Sequence, residues 1–251
     1  MRINQVDWMM QTAGYRISLD QDEILHTLTS FALSTSFACA QRDDIPTTIR
    51  LSISDPYHIG CIMRLPLLSP SSLSGDQKEL YDSIMTVVNE AFGSFTVRNQ
   101  DGALLGPFNP MLHFPAFGKA AWAMNKTMYD HTTLPNSVLQ VAVLVTGTRL
   151  GARFQIYGHE RMALASGVPA EKIATIVAGE RPTDLTREEA VAYDVAAALN
   201  RGARLPESLY NAGVETFGKE GMAEIIFLVG CFHLVAIILN GYDVPVPDTD
   251  D

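Results

Sequence analysis

Residues 134–167, LPNSVLQVAVLVTGTRLGARFQIYGHERMALASG, constrain this chain most. They hold two apolar-periodic segments back to back, with Pro135 suited to opening the first, Gly151 marking the break and Gly167 closing the second. The second segment carries Gln155 and His159 four residues apart, a spacing that in a helix puts both on one face, about one turn from each other. An amide and an imidazole projecting together from a mostly apolar helix pair form a small reaction chamber. The rest of the chain is read as walls around it.

A chain of 251 residues can bury a sizeable core as one large domain or as a domain with an appendage. With 47% hydrophobic and 18% charged residues it is globular rather than disordered. A net charge of −10 and a pI near 5.0 argue against unspecific binding to nucleic acid or to an anionic membrane surface. Cys39, Cys61 and Cys231 are isolated, so neither a dithiol redox site nor a zinc knuckle is supported, and a reducing compartment is expected. The N-terminus lacks the apolar core of a secretory signal. The most apolar run, 225–239, is shorter than the roughly 20 residues of a bilayer span. It suits a central or subunit-interface helix, and the expectation is a soluble cytoplasmic protein.

Residues 1–62 read as an arm, with a helix over 20–42 and a lone strand at 47–53. From 63 to 247 the pattern is all-α. A Pro/Ser-rich lead-in at 65–74 precedes a Ser74/Gln77 capping box opening a helix to about 92. Gly102, Gly106, Pro107 and Pro110 forbid much regular structure over 94–115, a length of loop that commonly serves as a lid or binding loop. Further helices are expected over 116–129, the central pair, 169–179, 186–200 (opened by a Thr186/Glu189 capping box), 206–218 and 222–240. An acidic tail, 248–251, ends the chain.

His159 is the leading catalytic candidate, because an imidazole moves protons near neutral pH and its surroundings tune it. A core histidine bonded to a backbone carbonyl is the alternative. The pair His159-Glu160 does not make a zinc motif, since H-E-x-x-H needs a second histidine where Ala163 stands. Gln155 can hold an oxygen or orient His159. Gln140 lies amid Val141, Ala142, Val143 and Leu144 and needs a partner, most simply on the neighbouring helix. Asn109 and His113 are the loop residues expected to face a pocket and bind substrate. Tyr157 is a further substrate-binding candidate, although it and Glu160 fall on other helix faces, toward solvent or a subunit contact.

At these residues the chain resembles the carboxymuconolactone decarboxylase family within the alkylhydroperoxidase D-like fold. The likeness spans 63–247 and rests on MRLPLLSP, GPFNPMLHFP, LPNSVLQVAVL, ARFQIYGHERMALASGV and GCFHLVAIILNGYDVPVP, in that order and spacing. Peroxidase members carry C-x-x-C where this chain has Ala152 and Gln155, so the resemblance implies no thiol peroxidase here. Other members carry glutamates where Gln155 and Gln140 stand; both are amides here, while His159 is kept. Amides in place of carboxylates remove support for the charged imidazole, so a lowered His159 pKa is expected. The resemblance implies an all-α fold, a homo-oligomer (trimer or hexamer), specialised metabolism and chemistry without metal or organic cofactor.

Two functions fit. One is a lyase- or isomerase-type enzyme transferring protons on a small organic acid, lactone or polyketide-like substrate by decarboxylation, isomerisation or ring opening and closure. His159 would be the acid/base, with Gln155 and Gln140 positioning an anionic or enolisable carbonyl. The other is a non-catalytic descendant that binds a small molecule or scaffolds partners.

Overall fold

A computed structural model of the protein describes residues 63–91 and 93–247. The helix expected over 20–42, the strand at 47–53, Cys39, Cys61 and the 248–251 tail lie outside the described residues. Within them the chain forms a short 3-10 turn, Pro70–Ser72, and eight α-helices: α1 Gly75–Ala91, α2 Phe108–His113, α3 Pro115–His131, α4 Asn136–Leu150, α5 Arg153–Ala165, α6 Ala170–Val177, α7 Arg187–Leu199 and α8 Glu207–Gly241. The described residues contain no strand, only an isolated antiparallel bridge between Arg98 and Leu104.

The centre is α4, which packs against α5, α6, α7 and α8. Its continuous apolar run suits a helix enclosed on all sides: Val138, Val141, Val143 and Leu144 are at most 2% exposed. Gly151 closes α4 in the left-handed region at φ 63, and Ala152 N–H bonds back to Gly147 O at 2.9 Å. This tight reversal lays α5 along α4, setting residues 155 and 159 opposite 140 and 143. Gly147 leaves the needed room, because a Cβ there would sit 3.2 Å from Gln155 Nε2.

A second core joins α1, α2 and α3 through Ile84, Leu104, Leu112 and Trp122. α2 backs onto α3 at Gly118, where a Cβ would meet Met111 O at 2.1 Å. The Thr186/Glu189 capping box forms in full. At α1, Gln77 Oε1 accepts from Ser74 N–H at 2.9 Å, the return half of the expected box.

Two expectations change. The 94–115 stretch is not simply a loop, since α2 forms inside it. Pro110 falls in that helix's first turn, where a missing N–H removes no helical bond. The helices expected over 206–218 and 222–240 do form, joined within α8 across a break at Gly218, whose φ 73 and ψ 176 are not helical. That makes α8 longer than its apolar run, and by length and composition it could cross a membrane. Half of its most apolar window is buried.

Candidate active site

His159 is 8% exposed, on the α5 face turned toward α4 and α8. Its Nδ1 lies 2.7 Å from Gln140 Oε1. An amide oxygen only accepts, so Nδ1 carries the proton and Nε2 presents its lone pair. Nε2 makes no hydrogen bond among the described residues. The ring meets Phe232 of α8 edge to face, with centroids 4.8 Å apart at 87°. Burial alone, with no carboxylate near, pulls the His159 pKa from 6.5 to about 3, the direction the amides lead one to expect.

Gln140 is thus the group that orients His159, and the two side chains settle each other's buried polarity across α4 and α5. Gln155, 3% exposed, does something else. Its Nε2–H donates to Val143 O at 3.2 Å, while its Oε1 is buried without a partner. The helical spacing does bring Gln155 and His159 to one cavity, but no hydrogen bond joins them.

Two spaces flank His159. The smaller, about 40 Å³, is bordered by Phe95, Phe108, Asn125, Gln155, Gly158 and His159. The larger, about 380 Å³, is bordered by Leu134, Leu139, Gln140, Val143, His159 and Leu228. Tyr129 and Phe232 line both. No charged side chain among the described residues lines either one. Gln140 Nε2 makes no hydrogen bond among those residues, which leaves an amide donor at the larger space.

Three expected substrate contacts lie elsewhere. Asn109 is fully buried and structural: its Oδ1 accepts from Leu68 N–H at 3.1 Å and its Nδ2 donates to Pro66 O at 3.2 Å. His113 Nε2 is 2.8 Å from the same Pro66 O. Both pin the lead-in segment to α2, and neither borders the His159 spaces. Tyr157 borders neither His159 space and does not face solvent. It is buried, its Oη accepts from Thr96 N–H at 3.3 Å, and the Arg161 guanidinium lies 4.0 Å above its ring.

The structure adds residues that the sequence did not single out. Asn125 and Tyr129, one turn apart on α3, reach the site beside Cys231 of α8. Asn125 Nδ2 lies 3.7 Å from Cys231 Sγ. Burial pushes the Cys231 thiol up to about 11, against a smaller opposing pull from Asn125. Burial, and then the neighbouring Cys231, push the Tyr129 phenol up as well. The i, i+4 spacing of Asn125 and Tyr129 was the available signal, diluted by the mixed polarity of α3.

No family model and no curated protein sequence matches this chain. Solved structures match its fold. The debrominase Bmp8 in complex with 2,3,4-tribromopyrrole is similar at TM-score 0.58 and 14% identity, over 74% of this chain and 94% of that one. An alkylhydroperoxidase AhpD core, an uncharacterized peroxidase-related protein from Ralstonia eutropha JMP134, gives TM-score 0.59 and 17% identity over 74% and 93%. A putative antioxidant defence protein AhpD from Agrobacterium tumefaciens gives 0.52 and 17% over 56% and 97%. At these identities the likeness is one of fold.

Proposed function

We propose that this chain, which has the all-α alkylhydroperoxidase D-like fold, is a cofactor-independent enzyme of lyase or isomerase type that moves a proton on a small, largely apolar organic substrate. The observation that carries this reading is His159 itself: a buried imidazole oriented through Nδ1 by Gln140, with Nε2 uncommitted, beside a space of about 380 Å³. Acids, lactones and polyketide-like aromatics are the substrate classes considered. That Bmp8 holds a small halogenated aromatic in the same fold supports a compact ring as the ligand.

In the proposed step, Nε2 takes a proton from a carbon or oxygen acid of the substrate. The electron pair left behind moves onto a carbonyl oxygen, which the Gln140 amide N–H stabilises. Nε2–H then returns the proton to a different atom, completing isomerisation. Where the proton came from a carboxylic acid, its C–C bond breaks to release carbon dioxide, and that bond's electron pair moves onto the neighbouring carbonyl oxygen as an enolate. Nε2–H then protonates the carbon as the carbonyl re-forms. The low pKa of His159 keeps the base unprotonated at neutral pH. Its cationic form gains a counter-charge only as the substrate turns anionic, so the favourable interaction grows toward the transition state.

Homo-oligomerisation and a cytoplasmic location belong to the same proposal. Phe227, Ile237 and Leu234 of α8 and Phe117 of α3 are exposed apolar side chains suited to subunit contacts. The test is exchange in heavy water. Neutral lactones and enolisable ketones incubated with the protein should exchange α-protons for deuterium, and His159→Ala should slow this about 10²- to 10⁴-fold. No exchange with any compound, or equal exchange by His159→Ala, would refute the proposal.

A further inference from the structure

We infer that the small space beside His159 seats one uncharged O–H group, donating to Gln155 Oε1, and that the site therefore takes neutral hydroxyl donors such as phenols, enols or water in preference to carboxylates. This rests on the reading of His159 as the reactive group and narrows its substrate class.

Four observations converge. The space is about 40 Å³, enough for a water-sized oxygen. Gln155 Oε1 is buried without a partner, and the amide cannot turn its nitrogen inward without giving up Val143 O. The Nδ1 proton of His159 is committed to Gln140, so the nitrogen left over on that ring is also an acceptor. No lysine or arginine among the described residues borders either space, so a carboxylate would lose its hydration without gaining a counter-ion. An unmet buried acceptor is costly, and a neutral O–H removes that cost where an anion cannot.

The oxygen has two sources, solvent or the substrate's own hydroxyl. Phenol and benzoate, titrated at pH 7 against the ¹⁵N-histidine signals of His159, compare a neutral donor with an anion of the same ring. Phenol should bind at least ten-fold tighter. The preference should shrink to within about three-fold in Gln155→Leu (or Gln155→Met if that variant does not fold) and persist in Gln155→Glu, which keeps an acceptor. Crystals with and without phenol identify the source. A phenol oxygen beside Gln155 Oε1 marks the substrate's hydroxyl; an oxygen seen there without phenol and kept with it marks water. Should neither probe bind, the crystal alone decides, an oxygen in the space supporting the inference and a dry space overturning it. Benzoate binding as tightly as phenol, or a preference unchanged in Gln155→Leu, would also overturn it. None of these readouts needs turnover, so they stand apart from the proton-transfer test.

Discussion

Buried neutral histidine makes folding depend on pH in a direction the structure fixes. In the unfolded chain His159 titrates near 6.5; in the fold, burial holds it at about 3. Below 6.5 the unfolded chain takes up a proton that the native state refuses, so stability falls with falling pH until the native value is reached. Each pH unit in that window costs up to about 1.4 kcal/mol, and from pH 7 to pH 5 the loss is about 2 kcal/mol. Urea denaturation of the wild type and of His159→Gln at both pH values isolates this contribution. Other titrating groups, including Glu224, whose carboxyl is held low by Thr133 and Thr132 against the opposing effect of burial, act alike in both proteins and cancel. The wild type should lose about 2 kcal/mol more than the variant over that interval. Equal losses would refute the claim that His159 is buried and uncharged.

Two further outcomes test the scaffold. Lys172 and Glu189 pair at 2.7 Å with both side chains 6% exposed, and Glu189 also closes the α7 capping box. Lys172→Met should therefore cost about 3–5 kcal/mol in denaturant titration by stranding a buried carboxylate, and a cost below about 1 kcal/mol would mean the pair is solvated. Gly118→Ala drives a methyl into the Met111 carbonyl and should lower stability by at least about 1–3 kcal/mol, with an unchanged melting temperature contradicting the close approach of α2 and α3.

The central pair was legible because its signals are local. Pro135, Gly151 and Gly167 punctuate it, and a lone amide in the α4 run requires a partner on the next helix, which His159 proves to be. The walls were less legible. Asn109 sits in a stretch rich in glycine and proline, where a polar side chain reads as exposed; its burial depends on Pro66 and Leu68, more than 40 positions earlier. Helix periodicity turns Tyr157 toward solvent or a subunit contact, and it cannot anticipate that Phe95 and Thr96 fold over that face. Tyr129 and Phe232 come to His159 from helices distant in sequence, and only tertiary packing shows it.

The proposed chemistry depends on which nitrogen of His159 holds the proton. Long-range ¹H–¹⁵N correlation spectra of ¹⁵N-histidine-labelled protein, with His159→Gln assigning the signal, read this directly. From pH 8 to pH 5, Nδ1 should remain protonated and Nε2 should remain bare. A proton on Nε2 with Nδ1 bare, or a ring that becomes doubly protonated near pH 6.5, would contradict it.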